Sequence, residues 1–179
     1  ADKGEEVTVS VAGQTLTTKA AEDGSWKVVL QKLDLGQPLE MTVTGSSGDT
    51  TKLKDILVGD VWFCSGQSNM YMRVKGVNNA EAEITAANFP QIRYANVPLR
   101  ATTEPQRDVR SRLQWLECTS KNIGDCSAAA YFFARMIYQD QKVPIGLVHS
   151  SWGGSSCEAW CSRKTLEADP RYKAMLRDW

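Results

Sequence analysis

The stretch Val58–Met72, VGDVWFCSGQSNMYM, decides the fold of the chain. An apolar run, Val61–Cys64, stops at Ser65-Gly66-Gln67, and Ser68 opens a segment that can continue as a helix. This pattern predicts a buried strand that breaks at a glycine and turns into a helix, which is a common way to present a serine nucleophile. The serine would then lie near the positive end of the helix dipole. Ser68 is therefore a candidate nucleophile, although the same pattern suits an ordinary helix N-cap.

A second strand that ends in small residues follows much later in the chain. Val143–Ser150 (VPIGLVHS) is nearly all apolar, which is typical of a strand buried on both faces of a sheet, and Gly153-Gly154 comes shortly after it. If the two strands are parallel, their carboxyl ends lie on one edge of the sheet, where sites in open α/β sheets form. The backbone N–H groups of Ser68 and Gly154 would then suit a developing oxyanion. A tight strand-to-helix turn is the alternative explanation for the glycine pair.

A serine nucleophile needs a base, and His149 is the only histidine in the chain. It lies at the end of the second predicted strand, where a histidine is more often part of the core than a base. The α/β-hydrolase pattern G-x-S-x-G is also not matched, because Met70 stands two residues after Ser68. The residues alone thus indicate a nucleophile without an evident base.

The residues before and after position 58 follow different patterns, which predicts two units, 1–57 and 58–179. Short alternating stretches between glycine turns predict a small β-sandwich-like module. Its pattern favours a structural or accessory role over sugar binding. Strands then alternate with helices, which predicts an α/β domain with a parallel sheet. The predicted strands are 6–11, 15–20, 25–30, 39–44, 52–57, 61–64, 91–97, 113–118 and 143–150; the predicted helices are 79–88, 127–140 and 155–168, and one more starts at Asp169-Pro170.

Charge and hydropathy exclude two classes of partner. Basic and acidic residues number 21 each without a single-sign block, which argues against nucleic acid. No apolar run approaches the roughly 20 residues that span a bilayer, which argues against a membrane. The polar stretch 98–112 contains arginines that could hold an anionic substrate, although a solvated loop is the commoner interpretation. These arginines are Arg100, Arg107, Arg110 and Arg112.

The five cysteines give little evidence of a metal or of a compartment. Their odd number leaves at least one unpaired unless it bonds another chain. Cys157 and Cys161 are four residues apart and could form half of a zinc site, but no second Cys/His pair with metal spacing accompanies them, so we expect no metal. The cysteines show no evident pairing scheme and do not establish an oxidising environment.

Two blocks of the sequence resemble those of a known family. Gly59–Met70, GDVWFCSGQSNM, resembles the first block of sialate O-acetylesterases, which are SGNH-type carbohydrate esterases. Val143–Trp160, VPIGLVHSSWGGSSCEAW, resembles their second block, with Ser155 where the family often has threonine. Ser127–Arg135 resembles the helix between the two blocks. The resemblance extends into the β-rich module and so covers nearly the whole chain.

The resemblance implies a fold, an activity and a set of site residues. The fold would be a partial SGNH-hydrolase-like parallel-sheet domain after a small β-sandwich-like module. The activity would be hydrolysis of O-acetyl esters on sugars, most of all 9-O-acetyl sialic acid, without metal or cofactor. Ser68 would be the nucleophile, and its N–H with that of Gly154, or of Gly153, would form the oxyanion hole. Gln67 and Asn69 would support the turn. Enzymes of this type are often secreted, periplasmic or lysosomal.

The chain departs from the family in two ways. The family's Gln-Gly-Glu-x-Asn block, which supplies another oxyanion donor, is absent, and so is the D-x-x-H segment that supplies the acid and base. His149 stands at a position that the family does not use for catalysis. We therefore expect this chain to correspond to an internal portion of a longer enzyme, whose remainder, in the same chain or in a second one, would bring the histidine and the aspartate.

Two alternative functions remain open at the level of sequence. An acetylxylan or other polysaccharide O-acetylesterase would use the same scaffold, and the sequence does not separate it from a sialate enzyme. A non-catalytic carbohydrate-binding or structural fragment is the alternative of another class, because the base is missing. The sialate and polysaccharide esterases would differ in the acetylated sugar from which they release acetate, whereas the non-catalytic fragment would not react with a fluorophosphonate at Ser68.

Overall fold

The computed structural model describes residues 1–102, 104–106, 108–109 and 113–178, which form two four-stranded sheets with helices. The predicted mixed α/β class is confirmed. The strands are β1 (Glu6–Val11), β2 (Gln14–Lys19), β3 (Leu39–Gly45), β4 (Thr50–Ile56), β5 (Asp60–Gly66), β6 (Asn88–Asn96), β7 (Leu116–Thr119) and β8 (Ile145–Ser151). The α-helices are α1 (Ser68–Tyr71), α2 (Ala80–Ala86), α3 (Ala128–Gln141), α4 (Arg163–Glu167) and α5 (Lys173–Arg177).

The first sheet has the order β2-β1-β3-β4 and is antiparallel throughout. Its central strand β1 alternates as predicted, and Val7, Val9 and Val11 are buried on one face. Alternation with period two places every second side chain of a strand on the same face, so these valines form the small core of this unit. Within the described residues this unit contains one sheet, and its description as sandwich-like stays a prediction.

The strand predicted over residues 25–30 is wrong. Residues in this stretch have no assigned strand, and Val29 is 71% exposed. Directly after the stretch, the backbone makes a hydrogen bond to a side chain and not to a neighbouring strand. The N–H of Gln31 donates to Oε1 of Gln14 at 2.8 Å. Apolar alternation predicts an extended backbone, but a strand also needs a neighbour, which lies elsewhere in the sequence.

The second sheet has the order β5-β8-β6-β7. Strands β5, β8 and β6 are parallel, and β7 runs antiparallel to β6 at one edge, so the parallel sheet predicted from the sequence holds for three of its four strands. The central strand β8 buries Ile145 and Leu147 in a core that also contains Tyr94 and Tyr131. This sheet carries both strand ends on which the sequence predicts the site.

Strand β5 lies at the other edge of the sheet, and the prediction that it is buried is wrong. Val61 and Phe63 are each 67% exposed, whereas Cys64 is buried. Trp62 packs edge-on against Phe133 of α3, with 5.0 Å between ring centroids. An apolar run indicates a strand that is suited to burial, but its position in the sheet decides whether neighbours cover it.

The helices agree with the sequence in part. Helix α3 begins after Ser127, whose side chain accepts a hydrogen bond from the N–H of Ala130, and it lies within one residue of the predicted 127–140. The single helix predicted over 155–168 is wrong, because a 3₁₀ turn at Cys157–Trp160 is followed by α4, with Ser162 as its N-cap. Asp169 accepts a hydrogen bond from the N–H of Arg171 at the start of the next turn, as predicted.

The two sheets contact each other through an ion pair. Arg93 on β6 donates to the carboxylate of Asp55 at 2.7 Å and to its backbone oxygen at 2.6 Å. Beside this pair lies a cavity of about 450 Å³, which is lined by residues from β4, β5 and β6. Among the residues that the structure describes, none belongs to a helix that is both long and apolar enough to cross a membrane.

Candidate active site

The carboxyl ends of β5 and β8 lie side by side. The two strands pair in parallel register from Asp60 opposite Ile145 to Gly66 opposite Ser151. Beyond the ladder, the N–H of Trp152 donates to the backbone oxygen of Gly66 at 3.0 Å. The structure thus brings together the two strand ends that the sequence singles out, although they are more than eighty residues apart in the chain.

Ser68 is presented at the edge of the sheet by a sharp reversal. Gly66 has a φ of 145°, a conformation that side chains with a Cβ rarely adopt, and the chain turns there into α1. Gln67 occupies the N-cap position, so the alternative in which Ser68 caps the helix does not hold. Ser68 is exposed, and its hydroxyl has no hydrogen-bond partner among the described residues. Because α1 has only four residues, its dipole adds little to the site.

The glycine loop covers one side of Ser68. A Cβ built on Gly153 would lie 3.8 Å from both Cα and Cβ of Ser68, which is van der Waals contact. Gly154 has a φ of +80°, and a Cβ built on it would have no neighbouring atom within 4 Å. Gly153 is therefore the glycine whose missing side chain would meet the serine, whereas Gly154 supplies the left-handed turn of the loop.

Gln67 joins the serine turn to the glycine loop. Its side-chain amide donates to the backbone oxygen of Ser155 at 2.6 Å. The Ser155 hydroxyl donates in turn to the backbone oxygen of Trp152 at 2.7 Å, which closes the loop on itself. Gln67 therefore contacts the glycine loop directly, and the support role expected of it stays a prediction. Asn69 is exposed and makes no side-chain hydrogen bond within the described part of the chain.

His149 is buried, and both of its ring nitrogens have partners other than Ser68. Nδ1 lies 2.8 Å from Oδ1 of Asn96, and Nε2 lies 2.6 Å from Oγ of Ser151. Burial, with a smaller effect from the nearby Arg73 guanidinium, lowers the pKa of His149 below its ordinary 6.5. The ring is therefore a neutral member of the core at pH 7, which matches the commoner of the two interpretations of this histidine.

Arg73 completes this buried network, and the sequence gives no sign of it. Its guanidinium donates to Oδ1 of Asn96 at 3.1 Å and to the backbone oxygen of Asp125 at 2.6 Å. Oδ1 of Asn96 thus accepts two hydrogen bonds, one from Arg73 and one from the Nδ1–H of His149. Nε2 of His149 is then the acceptor for the Ser151 hydroxyl. The network anchors the end of β8 immediately before the glycine loop. Its members come from four separate elements, so no sequence spacing could have joined them.

The remaining predicted residues lie in several places. Arg100 lines a cavity beside the glycine loop, while Arg107, Arg110 and Arg112 lie outside the described residues. The five cysteines are free thiols, of which Cys157 and Cys161 are exposed. Among the described residues, no three or more His, Cys, Asp or Glu side chains are grouped so that they could hold a metal ion.

Comparison with known proteins places this chain in a family. Residues 58–179 match the family described as carbohydrate esterase, sialic acid-specific acetylesterase. Sialate O-acetylesterase of Homo sapiens is 38% identical over 163 residues, which cover 86% of this chain and 31% of the relative. Sialate O-acetylesterase of Mus musculus is 37% identical over 163 residues, covering 86% and 30%. The chain thus spans about a third of the length of these curated relatives.

A solved structure gives the same result at the level of the fold. The crystal structure of a carbohydrate acetylesterase from Xanthomonas citri superimposes with a TM-score of 0.89 at 35% sequence identity. The match covers 93% of this chain and 38% of that chain. It therefore includes nearly the whole of this chain.

Proposed function

Because the chain belongs to the sialic acid-specific acetylesterase family of carbohydrate esterases, we propose that it carries the nucleophile of a serine esterase. The enzyme hydrolyses O-acetyl esters on carbohydrates, with 9-O-acetyl sialic acid as the substrate. The observation that carries this proposal is the exposed Ser68 at the carboxyl end of β5, beside the glycine loop, where a Cβ on Gly153 would lie 3.8 Å from it.

The nucleophile is the hydroxyl of Ser68. Its oxygen attacks the acetyl carbonyl carbon while a base takes its proton, and a tetrahedral intermediate forms. Collapse of this intermediate releases the sugar hydroxyl and leaves an acetyl group on Ser68. Water then attacks the acetyl-enzyme, and acetate leaves. Exposure of Ser68 supports this role, since the hydroxyl is open to an incoming ester and is not used by the fold.

Backbone N–H groups hold the oxyanion. The N–H of Ser68 and that of Gly153 or Gly154 are the donors, and the position of the glycine loop beside Ser68 supports this choice, since a Cβ on Gly153 would lie 3.8 Å from the serine. The bond from Gln67 to Ser155 and the bond from Trp152 to Gly66 keep the loop in place without substrate. Such preorganised donors typically contribute about 3 kcal/mol each to transition-state stabilisation.

The base comes from outside residues 1–179. His149 uses both ring nitrogens within the core, and the chain has no other histidine. A histidine and an aspartate from another part of the same enzyme, or from a second chain of it, complete the site. In this proposal the fold is a partial SGNH-type α/β domain after a small sandwich-like module, and the enzyme acts outside the cytoplasm.

Substitution of the nucleophile tests the reaction. In the complete natural polypeptide, Ser68→Ala should lower the rate of acetyl-ester hydrolysis at least about a thousandfold, because a nucleophile acts as a unit with its base. Ser47→Ala, in an exposed turn of the first sheet, is the matched control and should leave the rate unchanged. A fluorophosphonate should label the wild-type protein at Ser68, as located by peptide mass spectrometry. Unchanged hydrolysis by Ser68→Ala would refute the proposal.

A second experiment separates the two sugar substrates. Acetate release is measured from 9-O-acetyl sialic acid and from acetylated xylan at equal acetyl concentration. We expect the higher kcat/KM with the sialic acid derivative. Preference for acetylated xylan would assign the same chemistry to a polysaccharide.

A further inference from the structure

Three parallel strands end next to one another at the edge that carries Ser68. Strand β5 leads to Ser68, β8 leads to the glycine loop, and β6 leads to the segment 97–100. Neighbouring strands lie about 4.8 Å apart, so the end of β6 is roughly 10 Å from the end of β5. One sugar ring is shorter than this distance, but a sugar with an extended acetylated side chain is long enough to reach from the third strand end to the serine.

A cavity of about 500 Å³ lies at the third strand end. It is bounded by the glycine loop on one side and by the segment 97–100 on the other, and Gly153, on which a Cβ would lie 3.8 Å from Ser68, is among its lining residues. Its volume falls within the roughly 300–1,000 Å³ of typical small-molecule sites. The cavity thus adjoins the nucleophile across the glycine loop.

Two tryptophans give this cavity an aromatic wall. Trp152 and Trp160 line it and remain 41% and 44% exposed. The indole N–H of Trp160 donates to the hydroxyl of Ser155 at 2.9 Å, and that hydroxyl donates to the backbone oxygen of Trp152. The indole of Trp160 is therefore oriented before any ligand arrives. An oriented aromatic surface suits the C–H face of a pyranose ring and costs little ordering entropy on binding.

Arg100 adds a positive charge to the same cavity. It lines the cavity together with Trp160, and no ion pair within the described residues includes it. A guanidinium presents a planar fork of donors that matches a carboxylate. An arginine beside an aromatic wall thus offers a partner for a sugar acid.

We propose that this cavity is the subsite for the ring of an acidic sugar, in which Trp160 contacts the ring and Arg100 binds its carboxylate. The proposal rests on the proposed function, because it identifies the part of the substrate that lies beyond the acetyl group. It also gives a physical reason to favour a sialic acid over xylan, since the xylose backbone carries no carboxylate for Arg100.

Binding of the product sugar tests the subsite without any catalysis. N-Acetylneuraminic acid and its neutral methyl ester are titrated into the complete natural polypeptide by calorimetry. The acid should bind about tenfold or more tightly than the ester, as expected for a charge-assisted hydrogen bond. Arg100→Gln should abolish that difference, while Arg177→Gln, an exposed arginine on α5 outside the cavity, should preserve it. Trp160→Ala should weaken binding of acid and ester alike.

The outcomes distinguish this proposal from the proposed function. Three results would each overturn the subsite. The wild-type protein could bind acid and ester with equal affinity, it could bind neither at millimolar concentration, or Arg100→Gln could keep the acid preference unchanged. Ser68→Ala should bind both sugars as the wild type does. If Ser68→Ala keeps esterase activity while the acid preference depends on Arg100, the subsite stands and the nucleophile assignment fails.

Discussion

Gly153 and Gly154 are neighbours, but a side chain would have different consequences at each. A methyl group on Gly153 would lie 3.8 Å from Ser68, a distance that the fold tolerates. Gly153→Ala should therefore keep the free energy of unfolding, but lower kcat of ester hydrolysis by on the order of tenfold or more, because the methyl crowds the bound ester. Chemical unfolding and steady-state kinetics on the same preparation measure the two effects.

Gly154→Ala, unlike Gly153→Ala, should lower the free energy of unfolding. Its φ of +80° is a left-handed conformation that costs an alanine about 1–2 kcal/mol, so the free energy of unfolding should fall by that amount. If Gly153→Ala proves the more destabilising of the pair, or leaves kcat unchanged, the loop does not lie against Ser68 as the geometry indicates.

His149 makes the stability of the protein depend on pH. Burial lowers its pKa in the folded state, so the unfolded chain binds more protons just below the ordinary value of 6.5. Stability that is present above pH 6.5 should therefore decline as the pH falls from 6.5 toward the lowered pKa of the folded state. Urea unfolding of wild type and His149→Gln across this window measures the effect, and the variant should lose that pH dependence.

The chain offers a clean background for this titration, because His149 is its only histidine. The carboxyl pKa values that the fold shifts, such as those of Asp125 and Asp169, are lowered and so contribute at lower pH. A wild-type stability that is flat from pH 6.5 downward, or the same slope in His149→Gln, would contradict a buried neutral ring.

Residue-scale features were predictable where a local pattern encodes them. Ser68 and the glycine pair stand out in the sequence because each follows a predicted strand within a few residues, and their roles stay predictions. The network of His149, Asn96 and Arg73 was not found, because hydrogen bonds between distant elements leave no periodicity in the sequence. Which of the two glycines would place a Cβ against Ser68 depends on the loop geometry, which no local sequence pattern encodes.

At the scale of elements, Ser127 connects helix α3 to the nucleophile turn. Its buried hydroxyl accepts from the N–H of Ala130 at 3.3 Å and donates to the backbone oxygen of Met70 at 2.7 Å. Ser127→Ala removes the cap of α3 and leaves a carbonyl of α1 without this donor. The free energy of unfolding should fall by about 2–3 kcal/mol, as measured by urea unfolding.

Ser162→Ala is the matched control for this change. Ser162 caps α4 by accepting from the N–H of Thr165 at 3.2 Å, but it is exposed. Water can replace a lost exposed bond, so this variant should lose only about 0.5–1 kcal/mol. Equal losses in the two variants would mean that the bond from Ser127 to Met70 contributes nothing.

Elements with a strong local pattern were predicted, and those that depend on partners were not. Strand β1, helix α3 and strand β8 agree with the prediction within about two residues, because each has a clear period or apolar run. The predicted helix over 155–168 failed because the Ser155 hydroxyl bonds Trp152 and Trp160 in a turn, and α4 begins only after Ser162. The strand predicted over 25–30 failed because strand pairing is not local.

At the scale of the whole molecule, the sequence indicated the α/β class but not the order of the strands. In the order β5-β8-β6-β7, strand β5 lies at an edge of the sheet, although its predicted part, Val61–Cys64, is entirely apolar. Strand β5 therefore exposes Val61 and Phe63, each by 67%, and its outer backbone groups face no strand among the described residues. Exposed apolar edges of this kind template association between chains. The formal net charge of zero gives little electrostatic repulsion to oppose it.

We therefore expect the chain of residues 1–179 to self-associate through β5. Sedimentation velocity at rising protein concentration should show an increasing average mass, and Phe63→Lys should reduce it, because a lysine on an edge strand opposes pairing. Val29→Lys is the control, since it adds the same charge at a side chain that is 71% exposed but lies outside both sheets. If both lysine variants reduce association equally, net charge and not the β5 edge controls it, and a wild-type chain that stays monomeric would contradict the prediction outright.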